Sequence, residues 1–297
     1  MNMKSSRRTS LQSHAGFSLL EMVMVCAILM IVLAAIFGGV NTVIQRSQAE
    51  QVKVDLVQEG REFIDEFERD LHQAGYPNCR MVSIGGNNCP ADNNTTEGNS
   101  SNVAAGLVYL SSTKVIFEGD VDGDGNVDSV QYVLVDSAGI DPPSGNCPCF
   151  IKRSQITKVD GTRSLWQTPV FTQELQNIVN SGQPTGINPY GGGLSISGNT
   201  AWGATNTAYY AAIASFKDYP VFQAYDQLGT IIQINPALDN STSTNSLILN
   251  CQPTSANCVK TIRITINLLG DAATGVDLQT RVRPVTTLVG DARLVNN

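Results

Sequence analysis

The sequence predicts an α+β protein: a long N-terminal helix, membrane-spanning in its first half, whose second half packs on an antiparallel β-sheet head with long loops. Three observations predict it. A run from Met22 to Val40 carries no charge and follows a short basic leader. From Asn41 to Ala74 apolar residues recur at helical spacing. Beyond Tyr76 the chain breaks into short alternating runs separated by Gly-, Asn- and Ser-rich stretches, the pattern of strands joined by turns.

The apolar run comes first. About 20 apolar residues let a helix cross the roughly 30 Å hydrocarbon core, so residues 17–40 read as the transmembrane half of the helix. Residues 1–16 read as a leader, with Lys4, Arg7 and Arg8 and no acid. Those basic residues stay on the cytoplasmic side, which puts everything after Val40 outside the cytoplasm. Glu21 stands at the head of the run. A carboxylate ionised at the bilayer centre costs on the order of 3 kcal/mol, so Glu21 calls for a cationic partner. A secretory signal peptide would have a shorter apolar core followed by its cleavage site, and an ordinary anchor would not explain Gly16-Phe17-x-x-x-Glu21 in register with the start of the run.

Residues 41–76 read as the extracytoplasmic half of the same helix. Val52, Leu56, Phe63, Phe67 and Leu71 form one apolar stripe between charged residues. Gly75 followed by Tyr76-Pro77 ends it. Gly38-Gly39 is a weak point, each glycine costing up to about 1 kcal/mol against alanine; small residues there also ease helix packing in a membrane.

Residues 77–297 read as the head. Gly106–Leu110, Lys114–Phe117, Val130–Val135, the stretch around Phe150–Ser154, Pro220–Tyr225, Thr230–Ile234, Thr261–Leu269 and Leu278–Leu288 are expected strands, with a short helix expected near Thr172–Asn180. Between the second and third strands lies Asp120-Val-Asp122-Gly-Asp124-Gly-Asn126-Val-Asp128. Carboxylates at the first, third, fifth and ninth positions, a glycine at the sixth and a backbone carbonyl at the seventh make the oxygen-rich cage that Ca²⁺ favours. The twelfth position, where a bidentate Glu is usual, is Gln131, inside the next strand. The loop therefore reads as a structural Ca²⁺ site of modest affinity on a β-hairpin, with Mg²⁺ disfavoured by its tighter octahedral geometry; a solvated Asp/Gly turn without metal is the alternative.

Cys26 lies in the span, leaving Cys79, Cys89, Cys147, Cys149, Cys251 and Cys258 in an oxidising exterior. An even number fits disulfides, and proximity suggests Cys79–Cys89 and Cys251–Cys258, with Cys147 and Cys149 bonded to each other or to other partners. A structural zinc site is the competing use of these thiols.

Net charge is −7, becoming −10 once the three basic leader residues are removed. That balance gives no reason to expect nucleic acid as a specific partner. Catalysis is not expected either. His72 is the only histidine beyond the leader, and the chain has no Gly-x-Ser-x-Gly elbow, no Walker-type loop and no His-Glu-x-x-His.

The N-terminal residues Gly16, Phe17 and Glu21 ahead of the apolar run resemble the prepilin signal of type IV pilins and type II secretion pseudopilins. The resemblance implies cleavage between Gly16 and Phe17 by a prepilin peptidase, N-methylation of Phe17, and pairing of Glu21 with a mature amino terminus during assembly. It also implies an inner-membrane intermediate, major and minor pilins as partners through the helix, and a final place in a pilus at the cell surface. In many major pilins a proline stands where this chain has Gly38, and the helix melts there in the filament. Glu66–Leu71, Ala74-Gly75-Tyr76, the aspartate-rich loop, Val221–Gly229 and Ile262–Ile266 further resemble PilW-type minor pilins and the related J-type minor pseudopilin. The function this implies is a minor type IV pilin that enters or primes a pilus. The alternatives are a minor pseudopilin of a type II secretion system and a pilus-tip adhesin or DNA-uptake component.

Overall fold

The computed structural model describes residues 18–78, 101–136, 138–141, 143, 148–180, 216, 219–251, 257–270 and 285–295. Helix α1 runs Leu19–Gln73, and the chain divides into two compact units, Met1–Ser47 and Gln48–Asn297.

In the first unit α1 carries a stretch of mean hydropathy 2.9 with none of it buried, long and apolar enough to cross a membrane. The helix is continuous through Gly38-Gly39, and Thr42 Oγ1 donates back to the Gly38 carbonyl at 3.0 Å.

In the second unit the remainder of α1 lies on an antiparallel sheet. Leu56, Phe63, Ile64, Phe67, Leu71 and Ala74 are buried at the three- and four-residue spacing that puts them on one face. The strands are β1 Gly106–Leu110, β2 Lys114–Gly119, β3 Asp128–Val135, β4 Cys149–Thr157, β5 Thr172–Ile178, β6 Phe222–Tyr225, β7 Ile231–Ile232, β8 Leu238–Asp239, β9 Thr261–Leu269 and β10 Val285–Arg293. Their order is β7-β6-β9-β5-β4-β3-β2-β1-β8, with β10 also paired to β9. A single helical turn of 3₁₀ type, Ser164–Trp166, follows β4, and a short helix α2, Ser243–Leu249, follows β8. Strand β3 is buried along its whole length, as a central strand covered on both faces must be.

Aromatic side chains join helix to sheet. The Phe67 ring meets Tyr132 of β3 edge-on at 5.1 Å and stacks on Phe222 of β6 at 5.5 Å, while Phe63 reaches Tyr132 at 5.9 Å. Each such pair contributes about 0.5–1.5 kcal/mol beyond the area it buries. Beside them Asp70, 1% exposed, accepts from the Tyr132 hydroxyl at 2.7 Å and from Arg153 of β4 at 2.7 and 2.9 Å. A second buried pair fixes the chain after β4: Lys158 Nζ donates to Glu118 Oε2 and to the Val103 carbonyl, both at 2.7 Å, and the Ser164 hydroxyl donates to Glu118 Oε1 at 2.6 Å.

Two elements differ from expectation. Thr172–Ile178, within the helix expected near Thr172–Asn180, is strand β5, paired to β4 with register shifts and with Asn177 at φ 60. Pairing to a neighbour outweighs propensity in so short a segment. The last strand lies at Val285–Arg293, further toward the C-terminus than the Leu278–Leu288 reading; residues 278–284 of that reading fall outside those described. Gly290 and Asp291 obscure it in the sequence, yet Gly290 lies where a Cβ would overlap Ile64, and Asp291 is held by Arg263 at 2.7 and 2.8 Å.

The end of α1 is sewn to the end of β2. Gly75, at φ +80, donates its N–H to the Glu118 carbonyl at 2.8 Å, and Asp120 N–H donates to the Tyr76 carbonyl at 2.8 Å. A Cβ at Gly119 would overlap the Gln73 carbonyl, which is backbone and cannot rotate away. Gly119→Ala should therefore lower head stability by about 1–3 kcal/mol. Denaturant unfolding of the full chain in detergent, followed by tryptophan fluorescence, measures this, with an unshifted midpoint as the contrary result.

Candidate functional sites

The hairpin between β2 and β3 gathers the acidic residues. Gly123 and Gly125 take φ +76 and +89, a region that side chains with a Cβ rarely adopt, and this curls the loop around Asp120. Asp120 accepts from the N–H groups of Gly123 at 2.8 Å and Gly125 at 3.1 Å. Asp122 accepts from Asp124 N–H at 3.1 Å, and Asp124 accepts from Asn126 N–H at 2.7 Å and from the Asn126 amide at 3.0 Å. One carboxylate oxygen from each of Asp120, Asp122 and Asp124 lies within 4.8 Å of the others. Oxygen ligands at 2.3–2.6 Å on opposite sides of a Ca²⁺ stand about 5 Å apart, so this donor set fits the ion's size.

Asp128 opens β3 and is buried, and Gln155 Nε2 donates to its Oδ2 at 2.8 Å. The same amide reaches Asp122 Oδ2 at 3.4 Å. Burial pushes the Asp128 carboxyl up to about 6; the Gln155 hydrogen bond opposes this, and repulsion from Asp122, Asp124 and Asp120 adds to it. Asp124, bonded by the Asn126 side chain and backbone, is held below its ordinary value. For Asp128 the folded value lies above the unfolded one. Its contribution is full at low pH and is lost as pH rises from about 4 through 6, unless a cation replaces the proton.

Gln131 takes no part. Odd-numbered residues of β3 point to the sheet face opposite Asp128 and Tyr132, and Gln131 is buried there, paired with Ser154 of β4. The residue that reaches the loop is Gln155, which pairs with Val130 and so sits diagonally across from Asp128 on the same face. Nothing in the local sequence marks it; only the β3–β4 register does.

At the N-terminal site, Gly16 and Phe17 lie outside the described residues. Glu21 is exposed in the first turn of α1, its N–H bonded to the Ser18 carbonyl at 3.0 Å, where a negative charge also complements the helix dipole. Of the cysteines, Cys251 and Cys258 form a disulfide between α2 and β9. Cys149 is disulfide-bonded at the start of β4, and Cys26 is free and exposed on α1. Cys79, Cys89 and Cys147, with the expected Cys79–Cys89 bridge, lie outside the described residues.

No match was found to a curated protein or to a solved structure. Residues 11–37 match the family described as "Prokaryotic N-terminal methylation motif". That match covers Gly16, Phe17, Glu21 and the start of the apolar stretch, and it implies processing by prepilin peptidase and pilin-type assembly partners. Together with an N-terminal apolar helix that fits membrane anchoring, the motif supports a type IV pilin-like protein.

Proposed function

We propose that the chain is a minor type IV pilin, cut between Gly16 and Phe17, methylated on Phe17, and built into or priming a pilus through α1. The observation that carries this reading is the methylation motif at residues 11–37 running directly into a helix whose apolar side chains are exposed from Leu19 onward. Such a surface needs lipid before assembly and the apolar helices of other pilins after it. Glu21 gives that packing its register, because the carboxylate finds its counter-charge in the amino terminus that cleavage creates. The head does structural work, not catalysis. A minor pseudopilin of a type II secretion system is the second reading, favoured by the segments Glu66–Leu71 and Val221–Gly229, whose resemblance covers both families.

The acidic loop takes Ca²⁺ in this reading. Asp120, Asp122 and Asp124 supply carboxylate oxygens, Asn126 its backbone carbonyl, and Asp128 completes the set. Bound there, the ion neutralises four crowded carboxylates and rigidifies the hairpin.

Both readings make predictions. Mass spectrometry of the cellular protein should find a chain beginning at methylated Phe17. Glu21→Ala should be processed normally yet lose at least about tenfold in incorporation into sheared pili, since it leaves an amino terminus unpaired. A deletion strain with normal pili and failed secretion would select the pseudopilin. Calorimetric titration of the full chain in detergent should give Ca²⁺ binding that Asp122→Ala/Asp124→Ala abolishes. Its affinity should fall as pH drops through about 6, where Asp128 takes up a proton. Equal heats from wild type and variant would remove the site.

A further inference from the structure

We infer that Gln155 couples the acidic loop to the docked end of α1, so that loop geometry and helix seating form one equilibrium. The contacts are continuous. On α1, Asp70 Oδ2 accepts from Arg153 Nη2 at 2.7 Å and Nε at 2.9 Å, and from the Tyr132 hydroxyl at 2.7 Å. Burial pushes the Tyr132 hydroxyl up, and the Asp70 charge adds to this, so the phenol stays a donor. Arg153 Nη2 also donates to Gln155 Oε1 at 2.9 Å.

That last bond decides which way the amide faces. A guanidinium only donates, so it must meet the amide oxygen, and Nε2 is then turned to the loop. There it donates to Asp128 at 2.8 Å and, more weakly, to Asp122 at 3.4 Å. A helix carboxylate, a guanidinium, an amide and two loop carboxylates thus stand in one row of matched donors and acceptors, in which each bond polarises the next.

A second connection runs beside the first. Asp120 N–H donates to the carbonyl of Tyr76, three residues past the end of α1, at 2.8 Å, so the loop's first acid is held by the helix terminus itself. Displacing the end of α1 takes the Asp70 acceptor from Arg153, which frees the guanidinium to leave Gln155 Oε1, lets the amide rotate and loosens the hold of Nε2 on Asp122 and Asp128. Coupling of this kind is reciprocal. Whatever orders the loop tightens the helix. With the Ca²⁺ site proposed above, on which this extension rests, the ion would favour the docked helix.

The test uses the cation-free full chain in detergent and amide hydrogen exchange. Gln155→Leu removes both halves of the amide; exchange should rise about threefold to tenfold at the loop amides of Gly123 and Gly125 and in the last turns of α1, Glu66–Gln73, with β9 unchanged. Asp128→Asn alone should also loosen those turns, and adding it to Gln155→Leu should loosen them no further. Unchanged helix exchange in both single variants, additive effects in the double variant, or a rise spread evenly through β9 overturns the coupling. Because no cation is present, a chain that shows the coupling but gives no Ca²⁺ heat removes only the cation reading of the preceding subsection.

Discussion

The seating of Phe67 is the constraint on which the rest of the head depends. Its ring is fully buried between Tyr132 of β3 and Phe222 of β6, strands that are well separated in the sheet order. One helix side chain therefore reports on both halves of the sheet at once. Its burial forces the next turn of α1 close enough for Asp70 to need partners, and Tyr132 and Arg153 supply them from two adjacent strands. One turn further the helix must stop. Gly75 turns the chain and donates to β2, and only a glycine at position 119 leaves room for the last helix carbonyl. The acidic hairpin begins at the very next residue, so its position follows from how the helix ends.

Two of the elements legible in the sequence have side chains that answer to one neighbour. The stripe of α1 shows because a single sheet covers a single helix face, and Thr261–Leu269 shows because its alternating residues face a core on one side only over most of its length. The misread elements answer to several neighbours. In β5, Leu175 and Ile178 sit at a spacing that serves a helix equally well, and only the pairing with β4 decides against it. In β10, Gly290 looks like a strand breaker until α1 is seen to require the space, and Asp291 looks like a loop residue until Arg263 is seen beside it.

The acidic loop divides in the same way. Its spacing of acids and glycines was legible because Asp120, Asp122 and Asp124 are organised by the loop's own N–H groups. Gln155 was not legible, since its place follows from the β3–β4 register, which brings it to an acid 27 positions away in the chain. Gln131 occupies the twelfth position of the spacing but the wrong face of its strand, a difference of one residue that alternation makes decisive.

How the head handles its buried or crowded acids bears on what the loop does. Glu118 is buried, and Lys158 is brought to it at 2.7 Å; Asp70 is buried, and Arg153 is brought to it at the same distance. Both acids thereby avoid the cost of an uncompensated charge. At Asp120, Asp122, Asp124 and Asp128, no ion pair forms among the described residues, and the side chain that arrives from the next strand is a neutral amide. Arg153 could have served there, since Gln155 lies two residues beyond it on the same face of β4. Its guanidinium is turned instead toward the helix, and Gln155 stands between it and the loop. A donor that carries no charge aligns carboxylates without neutralising them, so the charge of acids aligned in this way is left for the solvent and its ions to meet.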